Sequence, residues 1–414
     1  MRARRWAAGV AALSLAAGCA HVPPRVEVPD LPISHPAWRA ALAEQTASPV
    51  VGGNAVEVLL DGPEIFPAML AAIESARRSI TYEQFVYKEA PISLALVRAL
   101  AERCRAGVSV HVLLDGWGVR WFPAAYRERL LAAGCEFAVF RPLSLRTLGV
   151  ANHRNHRRIL VVDGRVAFTG GSGVGDQWLG DGDVARRWRE TDVRFEGPVV
   201  HQAQRAFAAH WREATGRTLA GEAYYPELPA AGAVLAQVVT SSPAAGDRSL
   251  HALHAAAIRA ARRAIAITNQ YLLLDDRLAG ALVGAARRGV DVDVVAPAMP
   301  TNRLVYAAGH ARLDRLLLGG VRVWGYQASP LHAKTMVVDG VWATVGSTNL
   351  DPRALEINEE LNLVVHDAGV AARLEAAFAD DLARSRPVTY EAWRRRELWV
   401  RLLGILTVPI RSQL

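Results

Sequence analysis

Apolar residues along the chain alternate between runs with a period near 3.6 and short unbroken runs, so helices and buried strands follow one another. AMLAAIESARRSITYEQFVY (68–87) reads as a helix running into a strand, and ALHAAAIRAARRAIAITNQYLL (252–273) repeats it, down to a shared ARR-x-I. Each is followed by a second helix and buried strand, LVRALAERCRAGVSVHVLLDG (96–116) and LAGALVGAARRGVDVDVVAP (278–297), with Gly107-Val108 and Gly289-Val290 at matching places. A third helix–strand pair follows in each half, RERLLAAGCEFAVF and LDRLLLGGVRVWGY. Strand alternating with helix, twice over, predicts a duplicated α/β fold: two lobes, 51–225 and 226–390, each a mostly parallel or mixed sheet flanked by helices.

Three segments fall outside this repeat. Residues 1–19 carry three arginines, an apolar run from Trp6 to Ala17 and small residues before Cys19. That run falls short of the roughly 20 residues that cross a bilayer, so it reads as an export signal. The LAAGC box makes Cys19 a candidate lipidation site, which predicts a membrane-associated envelope lipoprotein; plain secretion and an uncleaved anchor are the alternatives. Residues 20–50 are proline-rich and aperiodic, as in a tether. Residues 391–414 mix arginines with an apolar stretch from Leu398 to Ile410 broken by Arg401. They suit either an interfacial amphipathic helix or a final helix packed on the body. The net charge of +8 favours an anionic partner, whether lipid surface, phosphorylated small molecule or nucleic acid. With 51% hydrophobic and 21% charged residues, the body of the chain is expected to fold. Whether Cys104 and Cys135 pair stays open.

Of 48 basic residues only Lys88 and Lys334 are lysine, and Lys334 lies in SPLHAKTMVVDG (329–340). His332, Lys334 and Asp339 there form H-x-K-x4-D. His156, Arg158 and Asp163 repeat the spacing in NHRRILVVDG, with arginine for lysine. Strand alternation projects a histidine and a cation from one face in each copy. Two histidines with two cations suit phosphoryl transfer: one imidazole attacks phosphorus, the other protonates the leaving oxygen, and the cations neutralise the non-bridging oxygens. A single such motif arises by chance; two at the same place in a duplicated chain do not. HRNH (153–156) lacks further ligands, so no metal is expected. GSGVGDQWLGDGD (171–183) lacks the lysine of a nucleotide-binding loop, so no nucleotide or other cofactor is expected. Trp117, Trp121 and Phe122 lie in a loop after a strand and read as wall of an acyl groove, as lipid contact or as packing.

On these motifs the chain resembles the phospholipase D superfamily, and within it the bacterial cardiolipin synthases, over residues 55–410. WRETDVRFEGPVVHQAQRAFAAHW (188–211) and GSTNLDPRALEINEELNLVV (346–365) resemble the segments that follow the family's two motifs. The resemblance implies one active site at the interface of two pseudo-twofold-related lobes, with His156 as nucleophile and His332 as general acid. It implies a carboxylate orienting each imidazole, for which Glu190 and Glu360 are the candidates. Asp163 and Asp339 complete the catalytic motifs and are expected to brace the fold. The turns after the motifs offer Gly170, Gly171, Ser347 and Asn349 for substrate binding. The chain departs from the pattern twice, at Arg158 and at Gly173, where the counterpart of Asn349 is expected. The activity implied is phosphatidyl transfer from phosphatidylglycerol or a related phospholipid through a phosphohistidine, in a monomeric unit on an anionic membrane, without nucleic acid. A phospholipase D-type hydrolase, a nuclease and a non-catalytic lipid-binding lipoprotein are the alternatives.

Overall fold

The structure, a computed structural model, describes residues 28–181 and 187–414. The expected export signal and Cys19 lie outside the described residues. First-lobe strands are β1 (Val51–Leu60), β2 (Ser79–Gln84), β3 (Ser109–Asp115), β4 (Glu136–Phe140), β5 (Ile159–Val162), β6 (Val166–Gly170) and β7 (Thr191–Glu196). Second-lobe strands are β8 (Val234–Ser241), β9 (Ala264–Asn269), β10 (Asp291–Pro297), β11 (Arg322–Tyr326), β12 (Lys334–Val338), β13 (Trp342–Gly346), β14 (Glu360–His366) and β15 (Ser385–Pro387).

The lobes do not form two separate sheets. All described strands join one 15-stranded sheet in the order β15-β11-β10-β9-β12-β13-β14-β8-β1-β7-β6-β5-β2-β3-β4. Apart from edge strand β15, this order is a palindrome about the antiparallel β1–β8 pair, the structural form of the sequence repeat. Parallel pairing is confined to β2-β3-β4 and β9-β10-β11, the segments joined by helical crossovers. The remaining pairs are antiparallel, because β5-β6 and β12-β13 are hairpins whose strands return directly. The sheet is therefore mixed, as expected, with its parallel pairing in three strands of each lobe.

Near its centre the sheet bends back, bringing β6 and β7 against β13 and β14. Ile159, Val193 and Phe195 there share one apolar cluster with Val345, Leu361 and Leu363. Burying each such side chain contributes roughly 1.5–3 kcal/mol, so the lobes are held by a common core. Gly107 and Gly289 adopt φ of +86° and +87° after their helices, and a Cβ at either would meet no atom within 4 Å, so backbone conformation rather than space demands glycine at both.

The segment read as a tether is packed from Ile33 onward. Helix Pro36–Gln45 buries Trp38 and Leu42 against the second lobe's helix Ser249–Ala260, where two large apolar side chains gain more than a free spacer would. Cys104 and Cys135 form a disulfide. No helix among the described residues is long and apolar enough to cross a membrane.

Candidate active site

Each histidine motif sits at the mouth of a hairpin strand, and short inter-lobe backbone bridges fix it. Asn155 pairs with Glu359, and Arg189 pairs with Leu331. The His156 amide donates to the Glu359 carbonyl at 2.9 Å, and the His332 amide donates to that of Arg189 at 2.8 Å. Each motif is thus stitched to the strand entrance that carries the other lobe's glutamate, so the carboxylate pairs cross the interface. His156 Nδ1 lies 2.8 Å from Glu360 Oε1, and His332 Nδ1 lies 2.5 Å from Glu190 Oε2. Both glutamates are fully buried. With Nδ1–H donated to a carboxylate, each ring presents the lone pair of Nε2.

The cations complete the arrangement differently in the two halves. Arg158 donates from Nη2 to His156 Nε2 at 2.9 Å and from Nη1 to the His156 carbonyl at 2.6 Å. Lys334 bonds the His332 carbonyl and reaches Gln270 Oε1 at 3.3 Å. Its Nζ also lies 2.9 Å from His332 Nδ1. That nitrogen has one proton and gives it to Glu190, so the lysine contact is a close approach of two donors. Burial, with Arg158 and Lys334, holds both imidazoles well below the usual histidine range, so both rings are neutral in the free protein. Burial pulls Lys334 down to about 7, against the opposing pull of Glu190. Burial pushes both glutamates up, and the same two cations oppose it.

The turn residues position these groups. Ser347 Oγ bonds Glu360, and its oxygen accepts from the Leu361 amide at 3.0 Å. A Cβ on Gly171 would come within 2.4 Å of Glu190 Oε1, and one on Gly170 within 2.0 Å of Asp192 Oδ1. These three expected substrate-binding residues therefore serve the carboxylates: Ser347 supplies a donor, and the glycines leave the carboxylates room. Asn349 is buried, and its Oδ1 has no hydrogen-bond partner among the described residues.

Asp163 and Asp339 belong to the fold rather than to the chemistry. Asp163-Gly164 and Asp339-Gly340 form the hairpin turns, with φ of +53° and +64° in one and +55° and +67° in the other. Asp163 accepts from the amides of Arg77, Arg78 and Ser79 at 2.7–3.1 Å, and Asp339 accepts from those of Arg262, Arg263 and Ala264 at 2.7–3.2 Å. The shared ARR is the amide run that these carboxylates cap, four or more residues along the strand from the catalytic cations.

Sequence reasoning missed several neighbours. Trp188 stacks on His332 at 5.0 Å, Trp178 meets it edge-on at 5.5 Å, and Phe85 meets His156 at 5.1 Å. A Cβ on Gly173 would lie 2.5 Å from the Trp178 ring, so the missing asparagine is replaced by an indole that walls the other lobe's histidine. Asp192 is the buried partner of Ser172, and it counts among the charges that favour the Arg158 cation. Behind the site, buried charges precede both glutamates with opposite sign. Glu359 is held by Arg141 at 2.8 Å and Arg157 at 3.4 Å; Arg189 is held by Asp381 at 2.8 Å and Asp61 at 3.5 Å. His251, Asp275 and Glu356 place ligand atoms within 4.8 Å of one another, but Asp275 already caps a helix and bonds His251.

The family model described as "Cardiolipin synthase, PLD-like domain" matches residues 69–211 and 255–382. The chain belongs to the cardiolipin synthase family of phospholipase D-like proteins. It is 34% identical over 352 residues to the major cardiolipin synthase ClsA of Bacillus subtilis, covering 84% of this chain and 73% of that protein. Cardiolipin synthase A of Pseudomonas aeruginosa is 36% identical over 352 residues, covering 85% and 71% respectively. Among solved structures, a phosphatidylserine synthase of Haemophilus influenzae shares the fold with a TM-score of 0.69, 14% identity, and coverage of 89% of this chain and 97% of that one. Both histidine motifs fall within the matched residues, His156 in the first range and His332 in the second.

Proposed function

We infer that the protein is a membrane-associated phosphatidyltransferase that makes cardiolipin from two phosphatidylglycerol molecules. The crossed His–Glu pairs with a cation beside each ring carry this reading, because they supply two imidazoles of defined tautomer around one anion-binding space. As the Arg158 guanidinium shifts from His156 Nε2 to a non-bridging oxygen, that nitrogen attacks the phosphorus of the first lipid. The P–O bond to its headgroup breaks, and glycerol leaves with a proton from His332. Both rings are neutral in the free protein, so the anionic phosphodiester itself favours the protonated form of His332. The terminal hydroxyl of the second phosphatidylglycerol then attacks the phosphohistidine, giving its proton to His332 as the P–N bond breaks. Arg158 and Lys334 neutralise the non-bridging oxygens throughout.

Membrane association is supported by the tail. Helix Leu398–Leu406 buries Val400 and Gly404 on the body but exposes Leu398, Leu402, Ile405 and Leu406, flanked by Arg394, Arg395 and Arg401. Apolar residues rimmed by cations suit an anionic bilayer surface. The Cys104–Cys135 disulfide supports an exported location, since such bonds persist outside a reducing cytoplasm. The test is incubation of the full chain with phosphatidylglycerol vesicles and analysis of products by mass spectrometry. Cardiolipin plus glycerol is expected. Phosphatidic acid without cardiolipin would make the protein a hydrolase instead.

A further inference from the structure

Beside the second half-site lies a cavity of about 250 Å³ that none of the steps above uses. It is walled by Tyr271, Pro297, Val305, Leu313, Trp324 and Trp393. Its inner end is Gln270, whose Oε1 accepts from the catalytic Lys334 at 3.3 Å and whose Nε2 donates to Thr301 at 3.0 Å. Of the two arginines that line it, Arg396 lies 4.0 Å over the Trp393 ring and donates to the Trp393 carbonyl, and Arg386 is exposed. One wall is helix Arg303–His310, whose Leu304 is exposed and against which the tail helix Leu398–Leu406 packs. The cavity thus shares Gln270 with the phosphate site and helix Arg303–His310 with the tail that carries the exposed leucines.

We propose that this cavity binds one acyl chain of a phospholipid whose phosphate lies at Lys334. The proposal rests on the phosphatidyltransferase reading and adds to it where the apolar part of the substrate goes. The volume is below the ~300–1,000 Å³ that encloses a whole drug-sized ligand, so it takes part of a lipid, and its aromatic and proline walls select a hydrocarbon. A chain anchored here fixes the phosphodiester against the cations, which converts apolar binding into orientation at phosphorus. Gly325 lines the cavity, and a Cβ there meets nothing closer than 3.4 Å, so a larger residue at this position projects into the space without displacing the strand.

The experiment uses the full chain on vesicles of phosphatidylglycerol doped with phosphatidylglycerol carrying a diazirine at the end of one acyl chain. After irradiation, labelled peptides are mapped by mass spectrometry in the unaltered protein and in Gly325→Leu. Label is expected in 296–313 and 323–327, falling at least fivefold in Gly325→Leu, while label on the tail 398–410 persists in both as a measure of folding and vesicle binding. Label confined to the tail, or equal cavity label in both proteins, would overturn the proposal. Cardiolipin formation is followed in the same samples. Cavity labelling without any cardiolipin would sink the transferase reading while the acyl site stands; cardiolipin formation without cavity labelling would do the reverse.

Discussion

The two half-sites share a backbone plan but differ in chemistry. The first has Arg158, Gly171, Gly173 and Asp192; the second has Lys334, Ser347, Asn349 and Asn362 at the corresponding places. The changes compensate one another. Arginine keeps its charge at any accessible pH and is longer than lysine, so it reaches around to His156 Nε2, and the buried Asp192 sits where the lysine half has a neutral asparagine. Gly173 gives up an amide so that Trp178 can wall His332. The two halves share one frame, on which Arg158 serves its own half's His156 and Trp178 serves the other half's His332.

The largest effect that would break this comparison is loss of an orienting carboxylate. Glu360→Gln is expected to lower kcat by about 10³–10⁴ because Nδ1–H loses its charged acceptor, with KM little changed. Glu190→Gln should cost a similar factor by acting on His332. Steady-state kinetics on phosphatidylglycerol vesicles would measure both, and an effect under tenfold for either would remove it from the catalytic pair.

Next comes pH. Lys334, pulled down to about 7, is charged below that value and neutral above it, so kcat/KM of the free enzyme should fall as pH rises through about 7. Arginine cannot titrate in this range, so Lys334→Arg should remove the fall near 7, leave the fall that His332 sets at lower pH, and lower the rate about tenfold through misfit. A pH profile of unchanged shape in Lys334→Arg would assign the limb to another group.

Gly173→Asn tests the exchange between the halves. It forces a side chain into Trp178 and should cost about 1–3 kcal/mol of stability. In a Trp178→Val background, itself destabilised by the lost indole, the added cost of Gly173→Asn should largely vanish, as read from thermal unfolding in a double-mutant cycle. An asparagine tolerated without the second change would show that the indole does not occupy its place.

The smallest expected effect on chemistry is at the turn aspartates. Asp163→Ala and Asp339→Ala each strand three backbone amides, so about 1–3 kcal/mol and several degrees of Tm should be lost. The kcat of the folded fraction should be kept at low temperature. A fall in kcat above tenfold with unchanged Tm would return these residues to the active site.

Much of this was legible in the sequence, and the reasons are local. ARR, the paired Gly-Val steps and the two motifs each report a turn, a cap or a strand mouth that neighbouring residues build. The crossing of Glu360 to His156 and of Glu190 to His332 was not legible, because it depends on bridges between residues about 200 apart for one pair and about 140 apart for the other. Nor was the single bent sheet, since nothing in β1 or β8 alone specifies that they pair. Gly173 was visible as an irregularity, yet its cause is a tryptophan five residues later folding back on it. The tether reading failed at Trp38 and Leu42, whose burial needs a partner helix more than 200 residues away.

The most direct test of crossed half-sites serving one nucleophile is rapid quenching with phosphatidylglycerol, followed by peptide mapping of the covalent adduct. A phosphatidyl group on His156 is expected, formed at least 10²-fold more slowly when Glu360 of the opposite lobe is changed to Gln. An adduct on His332, or formation on His156 at an undiminished rate in Glu360→Gln, would contradict it.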